Sequence, residues 1–333
     1  METHTFTFLA FCKTMAKFSH CAVLKSGAGI AIIGAGLCVG LPSGCSTVEQ
    51  IGIHFLYKKA ELPESQIVRD KAYREGSSPG QRLNLFFPDS SGWPVLVFVH
   101  GGGWNSGNKD LTVGGADIYD NIGRFFASHG IGVAIINYRL LPQVSWPEQI
   151  EDVADATAWV ASHIADYGGS PSRLFLSGHS AGAQLAARIA LDPAPLEQRG
   201  LSPRILCGVI AVSGAGLDLR DAKTYELGED IRYYEKRFRD GDAGETWKQV
   251  ASPISFVNAS APPFLIVYAE GESKGLQRQS GLLHEALASA GAESQIVIVP
   301  GQSHTRIVLT LSRPDKVAGP AILKFLQSAS CNR

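Results

Sequence analysis

The 333-residue chain has no excess of charge of either sign: 30 lysines and arginines stand against 31 aspartates and glutamates. Without a basic surplus to release counterions from a phosphate backbone, no nucleic-acid partner is expected. Cysteine is scarce as well. Of the six, Cys12, Cys21, Cys38 and Cys45 crowd the first 45 residues, leaving only Cys207 and Cys331. A disulfide scaffold is thereby excluded, and no pair has CxxC or other zinc-ligand spacing, so no metal is expected. Nor is there an internal repeat or a low-complexity tract. What remains is an ordinary globular composition, 45% hydrophobic and 18% charged, rich in glycine (36 residues), which excludes wholesale disorder.

Residues 1–45 differ in kind from the rest. Lys13, Lys17 and Lys25 precede an uncharged run, Ser26 to Leu41, which is too short to cross a bilayer, since a span takes about 20 residues. A basic region, an apolar stretch and small residues describe a secretory signal, with Met15-Ala16-Lys17 as an alternative opening. Pro42-Ser43-Gly44-Cys45 resembles the lipobox of bacterial lipoproteins, although Pro42 stands where those usually carry Leu. The expectation is an exported protein, periplasmic or secreted, with lipidated Cys45 as a membrane attachment. Residues 46–333 then form one domain.

In that domain VLVFVH (95–100), VAIINY (133–138), RLFLSG (173–178), ILCGVIAVSG (205–214), FLIVYAE (264–270) and QIVIVP (295–300) read as strands. They are continuous apolar runs, as parallel strands buried on both faces should be. Helical patterns fall at 117–129, 148–165, 181–191, 276–290 and 315–328, and this alternation predicts a doubly wound, mostly parallel α/β sheet. LNLFFP (83–88) is expected as an antiparallel strand leading into it. Residues 46–80, polar and partly helical, and 217–261, charged and aromatic, fit the alternation poorly and are expected as lid elements. Cys207, inside an apolar strand, reads as a buried free thiol.

The chemistry-bearing pattern is Gly178-His179-Ser180-Ala181-Gly182, directly after a strand and opening a helix. That is the setting of a nucleophile elbow, a turn so tight that only small residues fit around the serine. His100-Gly101-Gly102-Gly103-Trp104 ends another strand. Such glycines allow backbone N–H groups to converge on an oxyanion, whereas no GxGxxG or GK(S/T) pattern supports a nucleotide phosphate. Among nine histidines, His304 stands in a loop after the last strand, while His179 is locked beside the serine.

HGGGW, YRLLP (138–142) and GHSAG, in this order and at these spacings, resemble the α/β-hydrolase esterases. The nearest branches are the hormone-sensitive-lipase-like, feruloyl-esterase-like and kynurenine-formamidase-like hydrolases. The resemblance covers about residues 80–328. It implies the α/β-hydrolase fold with a small lid, a chain order of serine, acid, histidine, and no cofactor. Carried onto this chain, Ser180 is the nucleophile and His304 the base. The acid falls at Glu272, with Glu270 the alternative and Asp218 a third, although the family more often has Asp there. Gly102, Gly103 and Ala181 would supply the oxyanion hole, and Trp104, Asn105 and His179 would line the substrate pocket. Tyr138, Arg139 and Asp152 match positions that support the scaffold. The implied activity is hydrolysis of small-molecule carboxylic esters of short to medium acyl chain through an acyl-enzyme. Aryl-formamide or feruloyl ester hydrolysis is the alternative, and a non-catalytic binding protein the alternative from another class.

Overall fold

A computed structural model describes residues 57–239, 244, 246–329 and 331. The signal and lipidation expectations, Cys45 included, lie outside the described residues. Eight strands form the central sheet: β1 (Ile67–Ala72), β2 (Arg82–Phe86), β3 (Trp93–Val99), β4 (Gly132–Ile136), β5 (Gly169–His179), β6 (Leu206–Val212), β7 (Phe264–Ala269) and β8 (Ser294–Val299). Their order is β1-β2-β4-β3-β5-β6-β7-β8. The first two strands run antiparallel to their neighbours and the other pairings are parallel, with Val97 opposite both Ala134 and Leu176. This is the expected α/β-hydrolase architecture.

Alternation along the central strands divides the interior into two cores. Val95, Val97, Val99, Leu174 and Leu176 face one side, together with α2 (Trp146–His163), α3 (Ala181–Leu191) and α7 (Lys274–Ser289). Residues of opposite parity face the other side, where Phe98 meets Tyr119 of α1 (Ile118–Ser128) and Phe175 meets Phe325 of α8 (Ala318–Ser328). Both faces of β3 and β6 are therefore fully buried, which explains their unbroken apolar sequences. The same reasoning fails for β8. It is an edge strand, and Ile298 is 50% exposed.

Local chemistry sets the helix starts. Ser145 and Glu148 close a capping box with Pro147 in the first turn, so α2 begins at Trp146, two residues before the apolar periodicity. Ser273 accepts from Leu276 N–H and starts α7 immediately after Glu272.

Two expectations need correction. The described part of 46–80 holds no lid. It provides the edge strand β1, whose Arg69, Asp70 and Lys71 are exposed and charged, as suits a sheet edge. Residues 217–261 form an insertion, of α4 (Ala222–Glu226), α5 (Ile231–Phe238) and α6 (Thr246–Ala251), whose Tyr234, Phe238 and Trp247 are buried in the main core. Cys207 is not a free thiol. It is disulfide-bonded to Cys331, because α8 returns the C-terminal segment to β6 across a separation of 124 residues.

Candidate active site

The elbow forms where β5 passes into α3. Ser180 is the residue before the helix and holds φ 55° and ψ −118°. A Cβ at Gly178 would collide with the Gly182 carbonyl, and one at Gly182 with the Val99 carbonyl of the neighbouring strand. Glycine at both positions lets strand, turn and helix approach closely enough to hold the serine in this conformation. Ser180 N–H donates to the Val212 carbonyl at 2.9 Å, pinning the turn to β6. The N-terminus of α3 lies beneath the hydroxyl and favours negative charge there.

Two distant loops complete a chain of hydrogen bonds. His304, on the loop after β8, has Nε2 2.9 Å from Ser180 Oγ and Nδ1 3.1 Å from Glu272 Oε2. The Glu272 side chain is fully buried. Its second oxygen has no hydrogen-bond partner among the described residues, so the carboxylate's one hydrogen bond there is with the imidazole. Glu270 is exposed and accepts from Gly301 N–H instead, and Asp218 pairs with Arg220. Of the three carboxylates weighed from sequence, Glu272 alone is joined to His304.

His179 and Trp104 do not line the open site. Burial, with the His304 charge adding to it, pushes the His179 imidazole down to about 3, so it is neutral. Its Nε2–H donates to the His304 carbonyl at 2.8 Å, and the two rings lie 5.0 Å apart. It braces the loop that carries His304. Trp104 is 0% exposed. A φ of 65° turns its indole into the core, 4.8 Å from the Phe238 ring, with Nε1–H donating to Gln184 of α3 at 3.0 Å. Asn105 is exposed, with its side-chain amide set against the Gly102 and Gly103 carbonyls.

Gly102 (φ 129°) and Gly103 (φ 61°) lie beside the elbow, where Gly101 packs against His179 and Ser180. Among the described residues, nothing accepts from the N–H groups of Gly102 and Gly103. Ala181 N–H, in the first turn of α3, has no intrahelical acceptor. His100 is fully buried, drops to about 4 through burial, and donates from Nδ1 to the Gly101 carbonyl at 2.7 Å. Behind the loop, Arg139 forks onto buried Asp152 at 2.8–3.1 Å, as expected of scaffold residues.

Several site residues have no signal in the sequence. Tyr233 and Arg237 of α5 reach the glycine loop, and Gln149 of α2 donates to the Trp104 carbonyl at 2.7 Å. Only the four-residue spacing of Tyr233 and Arg237 hints that they share a helix face. A separate surface groove of about 760 Å³ is walled by the paired Arg74, Asp155, Glu151 and Arg199 and by the outer side of Arg139, and contains none of Ser180, Glu272, His304 or the glycine loop. Among the described residues, no group of three or more His, Cys, Asp or Glu side chains is placed to hold a metal.

Residues 83–287 match the BD-FAE family. The chain belongs to that family. Esterase LipQ of Mycobacterium tuberculosis is 33% identical over 243 residues, covering 70% of this chain and 55% of the relative. A probable isoprenylcysteine alpha-carbonyl methylesterase, ICMEL1 of Oryza sativa subsp. japonica, is 31% identical over 267 residues, 74% of this chain and 58% of the relative. The chain thus spans little more than half the length of these curated relatives. Among solved structures, Esterase B from Lactobacillus rhamnosis, inhibited by a C4-C4 SN3 tributyrin phosphonate, superposes with a TM-score of 0.66. It is 20% identical and covers 85% of this chain and 91% of that one. That likeness supports the shared fold of this BD-FAE member.

Proposed function

We propose that this BD-FAE chain is a serine carboxylesterase acting on small-molecule esters of short to medium acyl chain. One observation carries the reading: a continuous hydrogen-bonded path from Ser180 Oγ through both nitrogens of His304 to the buried Glu272 carboxylate. Ser180 attacks the ester carbonyl while His304 Nε2 takes its proton, and Glu272 holds the imidazole by Nδ1–H and stabilises its cation. The carbonyl oxygen gains negative charge within reach of the N–H groups of Gly102, Gly103 and Ala181. His304 then protonates the leaving alcohol, giving an acyl-Ser180. Water, deprotonated by His304, attacks that acyl group and releases the acid, restoring the serine. The names of the relatives, an esterase and a methylesterase, agree with an ester substrate and a small leaving alcohol. The insertion helix α5, seated against Gly103, confines the space beside the loop and favours the shorter acyl groups.

The test is a chromogenic ester series from acetyl to palmitoyl, run with the protein and its Ser180→Ala variant. Turnover should peak at a short or medium chain and vanish in the variant. Well-folded protein that hydrolyses no member of the series sinks the proposal.

We further propose that the protein resides outside the reducing cytoplasm, with Cys45 as the lipidated residue. The Cys207–Cys331 bond supports this, since disulfides persist in oxidising compartments. Intact-mass measurement on protein from the native host should find a chain starting at an acylated Cys45. A free Cys207 thiol on a chain still carrying residues 1–44 would count against it.

A further inference from the structure

Four consecutive carbonyl oxygens of the glycine loop have partners. Gly101 O accepts from His100 Nδ1 at 2.7 Å, and Gly102 O accepts from Ser106 N–H at 3.1 Å and its hydroxyl at 2.6 Å. Gly103 O accepts from Arg237 Nε at 2.8 Å, and Trp104 O from Gln149 Nε2 and Leu141 N–H. A peptide group is planar with its C=O and N–H antiparallel, so holding the oxygen also fixes where the next residue's N–H points. Holding Gly101 O and Gly102 O thus aims the N–H groups of Gly102 and Gly103, while holding Gly103 O fixes the following peptide and with it the C-terminal side of Gly103, whose backbone has the widest freedom to rotate.

Arg237 differs from the other holders. It alone comes from the insertion, and it alone is charged. Its guanidinium stacks 3.4 Å over the Tyr233 ring and donates from Nη1 to the Tyr233 carbonyl at 2.8 Å. Among the described residues no carboxylate pairs with it. A half-buried cation with no carboxylate partner among the described residues therefore sits directly on the oxyanion loop. Tyr233 supports the placement: its hydroxyl occupies the position a Cβ on Gly103 would take.

We propose that Arg237 is a positioning residue of the oxyanion hole, through which the α5 insertion locks the Gly103–Trp104 peptide, limiting rotation at Gly103, and sets positive charge behind the developing oxyanion. The inference rests on the serine-esterase reading above. It makes the insertion part of the catalytic apparatus, not only a cover over substrate. An ester in its ground state carries little charge on the carbonyl oxygen, so the effect belongs to kcat more than to KM.

The experiment measures kcat and KM on p-nitrophenyl butyrate, and the affinity for butylboronic acid, whose serine adduct is a tetrahedral anion. The proteins are wild type, Arg237→Met, Arg237→Lys and Lys236→Ala, the last an exposed neighbour on the same helix, each with its thermal unfolding curve. Arg237→Met should lose about tenfold to a hundredfold in kcat, less than the 10²–10³ that follows removal of a direct oxyanion donor. Its KM should stay within about threefold, and boronate affinity should fall by a factor similar to that in kcat. Arg237→Lys, keeping the charge and one donor, should recover part of both, and Lys236→Ala should match wild type. An Arg237→Met enzyme with kcat and boronate affinity within about twofold of wild type overturns the inference, as does a rise in KM alone. If Arg237→Met fails to unfold cooperatively, Arg237→Lys decides: severalfold weaker boronate binding supports the inference, and wild-type kcat with wild-type boronate affinity overturns it. Wild-type protein that neither cleaves the ester nor binds the boronate instead removes the esterase reading, and this inference with it.

Discussion

Two turns converge on the Ser180 hydroxyl, and each contains a non-glycine residue at positive φ, 55° for Ser180 and 65° for Trp104. Such a conformation costs about 1–3 kcal/mol and persists only where its surroundings over-determine it. The surroundings differ. The elbow is held by backbone: Gly178 against the Gly182 carbonyl, Gly182 against the Val99 carbonyl of β3, and the Ser180 N–H on the Val212 carbonyl of β6. The glycine loop is held largely by side chains, those of Gln149, Gln184 and Arg237 and the rings of Tyr234 and Phe238 around the indole. The result is opposite use of similar backbones. Ser180 presents its side chain to the reaction, whereas Trp104 gives its side chain to the core so that neighbouring peptides keep their orientation. A reaction site thus combines one turn fastened through its backbone with one fastened through side chains.

The sharpest way to break the elbow side lies 92 positions on, at its acid. In Glu272→Gln the amide can face His304 Nδ1 with its NH2 group, which leaves the ring proton on Nε2, where it cannot accept from Ser180. A loss of about 10⁴ in kcat with an unchanged melting curve is expected. Activity within tenfold of wild type would mean that another group orients His304.

Trp104→Ala tests the loop side. Removal of a fully buried indole should cost about 3–5 kcal/mol, read by denaturant unfolding, and leaves the Gln184 acceptor unpaired. Phe264→Ala, at a ring equally buried but remote from the loop, should cost a similar amount. The comparison is in kcat of the surviving folded protein: it should fall for Trp104→Ala and stay near wild type for Phe264→Ala. Equal kcat in both variants would show that the loop does not depend on its indole anchor.

The smallest effect is a matter of pH. His179 titrates at about 3 in the folded protein, against an ordinary value near 6.5. Between those values the unfolded chain binds the proton and the folded one does not, so stability is lost as pH falls from 6.5 toward 3 and is fully present above 6.5. His179→Gln keeps an amide donor for the His304 carbonyl without the titration. Its stability should therefore fall less steeply between pH 6.5 and 4, by up to about one proton. Parallel curves for the two proteins would show that His179 takes its proton at the ordinary value.

Much of the site was legible because its logic is local. A tight strand-to-helix turn admits only small residues around the serine, so the spacing of Gly178, Ser180 and Gly182 announced the elbow, and unbroken apolar runs announced strands buried on both faces. The position of His304 also followed, through the order in which family members carry their triad. Glu272 followed in the same way from the family's acid position, and the β7–α7 turn buries it against His304 while Glu270 faces out. Two things were not legible. Trp104 and His179 read as pocket walls because their neighbours in sequence line the site, yet backbone torsion and burial give them to the scaffold. The pairing of Cys207 with Cys331 depended on where α8 ends.

Residue identity at close spacing thus determined the architecture, the nucleophile and the kind of chemistry, since sterics within a few residues and strand alternation act before any long-range contact. Which cysteines meet and what anchors the glycine loop were decided only when segments 45 to 134 residues apart packed together. Burial and hydrogen-bond direction are properties of the assembled interior, and no local pattern encodes them.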